Sequence, residues 1–191
     1  MVTLAGGRLV VSQMISRPLV LAMALVGCAR SQIAHPDPAV AADLQRLRAA
    51  TSRFQSLDSA VVAGYPREVR DCLVHEHHGA MGYHHANRAL ADARVEVARP
   101  EILLFERLKD GRYRLNGVEF IVPYRSWPRD SVPPTVMGQT MKREDNLNFF
   151  YLHVWAWTPN SNGLFADFHP DVACADSVRR VFTPFTRPET E

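Results

Sequence analysis

"EILLFERLKDGRYRLNGVEFIVP", residues 101–123, decides the fold. Its first seven residues are an apolar strand carrying two acids, Glu101 and Glu106. Asp110-Gly111 supplies a hairpin turn. The chain then returns through 113–123. Tyr113 and Leu115 alternate with Arg112, Arg114 and Asn116, but beyond Gly117 the apolar set moves to Val118, Phe120 and Val122. Such a shift of parity predicts a bulge at Asn116-Gly117. The stretch therefore reads as an antiparallel hairpin.

The flanks extend it. "NFFYLHVWAW", 148–157, is apolar on both faces and reads as the central strand of a sheet. The stretch 126–145 holds three prolines and reads as a long surface excursion. Before the hairpin, Asp37 is a good helix N-cap and Pro38 a good first-turn residue. Val40, Leu44, Leu47, Phe54, Leu57 and Val61 then form one helical stripe, closed by Gly64 and Pro66. A single helix of that length spans roughly 35–40 Å. It needs a sheet to cover its stripe. The expected class is α+β, a long N-terminal helix packed on a curved antiparallel sheet. A cystatin- or NTF2-like arrangement is the first expectation, a ferredoxin-like sandwich the second.

Residues 1–27 predict a lipoprotein signal peptide. Arg17 precedes an apolar run, Leu19 to Val26, that is too short to span a bilayer. The run ends in Leu25-Val26-Gly27-Cys28, which resembles a bacterial lipobox and marks Cys28 for lipidation. Residues 28–36 then form a tether, 37–186 one α+β domain and 187–191 a disordered tail. Cleavage before Cys28 removes Arg8 and Arg17 and no acid, so the formal charge falls from +2 to zero. No basic stripe remains, which argues against a nucleic-acid partner. The expected location is the bacterial cell envelope, lipid-anchored through Cys28 to a membrane and facing the periplasm or the exterior.

Cys72 and Cys174 are the two other cysteines. In an oxidising compartment such a pair forms a disulfide, which requires Cα atoms within about 7 Å. That bond would draw His75 and His169 toward one corner. "HEHHGAMGYHH", 75–85, packs five histidines into eleven residues. His75, His77 and His78 have no apolar neighbour and read as an exposed rim. His84 follows Met81 and Tyr83 and reads as inward-pointing.

His153 lies in the most apolar strand, on one face with Phe149, Tyr151 and Trp155. Glu119 and Glu106 lie in apolar strands too, where an unpaired carboxylate is costly. His and Glu side chains that converge are metal ligands for copper or zinc. The candidate ligands are therefore His84, His153, Glu106 and Glu119, with Tyr151 and Trp155 as pocket walls. The chain carries no P-loop, dinucleotide fingerprint, HExxH, CxxC or nucleophile elbow.

Three segments, "GAMGYHHAN" (79–87), "PEILLFE" with "GVEFIVP" (100–106, 117–123) and "LHVWAWTPNSNGLFADFHPDVAC" (152–174), resemble a family of secreted bacterial proteins and lipoproteins. "SLDSAVVAGYP" (56–66) is similar to it as well. The family pattern matches Gly82, His84, Asn87, Glu101, Glu106, Glu119, His153, Trp155 and Cys174. It departs at His85, Ala86 and His169-Pro170. The resemblance implies export and no particular reaction.

Together these readings predict an envelope lipoprotein that binds a metal ion or small ligand in a His/Glu/aromatic pocket between helix and sheet. The alternatives are a hydrolase-like or metal-dependent enzyme using the same groups, and a structural or interaction lipoprotein without pocket chemistry.

Overall fold

The computed structural model describes residues 37–67, 71–174 and 178–181. The expected signal peptide, lipidation at Cys28, tether 28–36 and tail 187–191 fall outside the described residues.

Helix α1 spans Pro38–Thr51, and the Asp37 carboxylate accepts from the Ala39 amide at 2.7 Å, as the N-cap reading required. The helix does not run on to Ala63. It tightens into a 3-10 turn at Ser52–Gln55, and Ser56 is extended (φ −95°, ψ 121°). A second helix, α2, covers only Leu57–Val62. The Ser56 hydroxyl accepts from the Ser59 amide and so restarts the helix. The expected single long helix is thus two pieces, and the stripe holds as far as Phe54: Val40, Leu47 and Phe54 share one core with Ala60, while Val61 is only half-buried.

That core packs on a seven-stranded sheet. Its strands are β1 (Asp71–His75), β2 (Gly79–Ala86), β3 (Ile102–Arg107), β4 (Tyr113–Pro123), β7 (Lys142–Glu144), β8 (Phe149–Val154) and β9 (Val178–Val181). The order is β7-β8-β4-β3-β2-β1-β9. Every pair is antiparallel except β1–β9. Leu104 faces Gly117 and Phe105 faces Leu115, so Asn116 is the extra residue of a bulge. The expected bulge is in place. The class is α+β, with helix against a curled antiparallel sheet.

Two expectations change. β8 lies next to the edge strand β7, and β3 is the central strand. β8 is apolar on both faces because each face is covered, not because it is central. The excursion 126–145 is also not purely superficial. It forms a small hairpin, β5 (Thr135–Val136) and β6 (Gln139–Thr140), turning through Met137 and Gly138 at φ 52° and 71°. Positive φ at both turn positions matches the twist of the flanking strands. Val136, Met137 and Met141 are buried in the helix-side core, and β7 is its last piece.

The two sheet faces bury different sets. Leu103, Phe105, Val118, Phe120, Phe150 and Leu152 face the helices. Ile102, Leu104 and Trp155 face the other way, with Cys72, Val172 and Cys174. Cys72 and Cys174 are disulfide-bonded with Cα atoms 5.8 Å apart, inside the limit expected from sequence. The bond ties the segment after β8 back onto β1. Ala80 and His169 exchange backbone hydrogen bonds there, at 3.1 and 2.9 Å.

Candidate metal centre

Registry brings the polar groups together. Ile102 faces Glu119 and Glu119 faces His153, so one row crosses β3, β4 and β8 on the face away from α1. His84, paired with Leu104, approaches from β2. In a flat sheet β2 and β8 would stand about 14 Å apart, three strand spacings. Their imidazoles meet because the sheet curls toward this face.

The Nε2 atoms of His84 and His153 are 3.4 Å apart. Glu119 Oε2 is 3.6 Å from His84 Nε2 and 3.9 Å from His153 Nε2. A triangle with those sides has a circumscribed radius of about 2.1 Å, the bond length of zinc to imidazole nitrogen or carboxylate oxygen. Among the described residues these three form the group of His, Cys, Asp or Glu side chains that converges closely enough to hold an ion.

Burial sharpens the geometry. The side chains of His153 and Glu119 are 1% and 5% exposed, and that of His84 is 22% exposed. Burial raises the Glu119 carboxyl above the ordinary value, with partial relief from His153. Burial first and His153 second push the His84 imidazole down to about 3. The His84 ring also hydrogen-bonds the Gly82 backbone. Neutral His84 keeps a lone pair, the form that binds metal.

The sequence reading missed Asp167. Its Oδ1 is 3.5 Å from His153 Nδ1, on the side of the ring away from the triangle. That distance is long for a hydrogen bond, and Nδ1 has no other partner among the described residues. Lys142 Nζ holds the same Asp167 oxygen at 2.6 Å and lies 5.8 Å from the Tyr151 ring centroid. Burial alone would raise Asp167, but His153 and Lys142 outweigh it and hold the carboxyl below its ordinary value. A carboxylate behind a histidine fixes the proton on the outer nitrogen and turns the lone pair inward. Asp167 sits in "LFADF", which the sequence offers as a last short strand or 3-10 piece, and only the disulfide hinted that this segment folds back.

The other candidates are placed as follows. Tyr151 is half-buried, its ring edge-on to His153 at 5.6 Å, and burial plus Asp167 and Glu119 raise its hydroxyl. Trp155 anchors the cover: its indole donates to Ala166 O at 2.6 Å and packs on His169. Glu106 is not brought to the triangle. It lies four residues along β3 from Ile102, about 13 Å at strand rise. There it is bonded to Arg114, to Asn116 and to the Ala173 amide.

His169 is buried and satisfied, with Nε2 3.0 Å from Pro159 O and Nδ1 accepting from Asp171 N. His77 and His78 are exposed and His75 half-buried against Phe168, so these three form a rim apart from His84. The site itself stands on the sheet face away from α1, and the expectation of a pocket between helix and sheet is corrected. That gap is filled by Leu47, Phe54, Phe105 and Phe120.

No protein-family model, no curated protein and no solved structure matches the chain.

Proposed function

We propose that this chain is an envelope lipoprotein that binds one zinc or copper ion through His84, His153 and Glu119. The observation that carries the reading is the ligand triangle of 3.4, 3.6 and 3.9 Å. Two imidazole lone pairs and a carboxylate crowded in a buried place repel one another, and a cation between them removes that cost. Such a set suits zinc or copper better than calcium or magnesium, which prefer oxygen ligands.

The rest of the proposal is the chain's setting. Cys28 is its lipid anchor, and the Cys72–Cys174 bond is compatible with an oxidising envelope compartment. The strand order supports a cystatin- or NTF2-like arrangement over a ferredoxin-like one, since β1 to β4 are adjacent in sequence order. The resemblance to secreted bacterial proteins and lipoproteins belongs to the same proposal. A metal-dependent enzyme is the second reading, favoured by one observation: three protein ligands with partial exposure at His84 is the pattern of catalytic rather than structural zinc.

Thermal melts with and without Zn²⁺ or Cu²⁺ test the binding. His153→Ala and Glu119→Gln should each abolish the metal-induced rise in Tm, while the variant lacking His75, His77 and His78 should keep it. The opposite pattern would transfer the site to the rim. The anchor is tested separately: Cys28→Ser should lose acyl label and detergent partition.

A further inference from the structure

We propose that the metal ion held by His84, His153 and Glu119 carries a small monodentate anion as its fourth ligand, taken from solvent past His84. The inference rests on the metal reading above and goes beyond it by naming what the ion binds.

Coordination number gives the first argument. Among the described residues the site offers three ligands, and zinc takes four. Access gives the second. Glu119 and His153 are sealed, but His84 keeps 22% of its side-chain surface. Tyr151 and Asp167 pack against His153, and Lys142 holds Asp167, so the exposed ligand edge is that of His84.

Charge gives the third. A divalent ion with one carboxylate and two neutral imidazoles leaves one positive charge in a poorly hydrated place. The nearest other charges, Lys142 and Asp167, are 2.6 Å apart and cancel. Glu144 is the next acid along β7, and its carboxylate is turned onto the Asn146 amide at 3.0 Å. The residual positive charge favours an anion over a neutral ligand, and the burial of Glu119 and His153 favours a small one.

The test uses the Co²⁺-loaded mature protein, with azide as the probe and visible absorption as the readout. Azide should shift the cobalt bands along a saturating one-to-one isotherm at constant ionic strength. Lys142→Gln leaves Asp167 uncompensated and should weaken azide roughly three- to ten-fold, while Asp167→Asn leaves Lys142 uncompensated and should tighten it by a similar factor. Bands that appear with cobalt but ignore azide overturn the anion ligand alone. Equal weakening in both variants overturns the charge argument that selects it. Failure of any cobalt band to appear overturns the metal reading and this one with it.

Discussion

Gly79 controls how the segment after β8 closes over the sheet. Its φ is +90°, and a Cβ there would lie 2.0 Å from the His169 carbonyl oxygen. That oxygen accepts from Ala80, so the clash falls on the hydrogen-bonded seam itself. Gly79→Ala should therefore cost about 2–4 kcal/mol, from left-handed strain plus a separated seam, read as a lower urea midpoint. His84 makes a second prediction at this scale. Its folded pKa, about 3, is below the ordinary imidazole value of 6.5. The unfolded chain then binds the extra proton, so His84 favours folding above pH 6.5, and that contribution is lost as pH falls toward 3. In the metal-free protein, His84→Gln should flatten the decline of Tm across this window. An unchanged slope would mean that the ring is not held neutral. His84, His153 and Glu119 were legible in the sequence because each interrupts an apolar strand, where polar groups need partners. Asp167 gave no such signal, since one acid in a short strand or 3-10 piece is ordinary until that piece is known to fold back.

At the scale of elements, spacing identified what is buried better than where each element ends. The stripe from Val40 to Val61 was read as one helix, and Ser56 breaks it. Ser56, followed by Leu57 and Asp58, is itself a cap signal that a continuous stripe hides. Strand parity gave the faces and the Asn116 bulge, but not the row on which a residue sits. Glu106 therefore stood beside Glu119 as a candidate ligand and lies two rows away in space. The Met137-Gly138 hairpin was illegible for a different reason: its buried Val136, Met137 and Met141 follow no helical or strand period. The disulfide is the element-level constraint with the largest measurable effect. It joins residues 102 apart. Replacing both Cys72 and Cys174 by Ala should cost about 2–5 kcal/mol. The unreduced, denatured protein should titrate with no free thiol from this pair, and two thiols would refute the bond.

Over the described residues, the sheet separates two tasks. The helix-facing side carries the large apolar core, with Leu47, Phe54, Phe105 and Phe120 in it. The opposite side carries the ligand triangle, roofed by a segment that Trp155, His169 and the disulfide hold down. Stability and binding should thus respond to different substitutions. Leu47→Ala should lower Tm by removing a fully buried side chain, at about 2–5 kcal/mol, yet leave metal affinity in the folded protein nearly intact. Asp167→Asn should do the reverse, weakening the metal by roughly 10- to 100-fold with a smaller change in Tm. The sequence alone placed the site under the helix because one long stripe and one curved sheet suggest a single interior. The curl of β2 toward β8 made a second one. The most direct measurement is an anomalous difference map from crystals of the zinc-loaded protein. The account predicts one peak about 2.1 Å from His84 Nε2, His153 Nε2 and Glu119 Oε2. A peak among His75, His77 and His78 instead, or none at the triangle at full zinc loading, would contradict it.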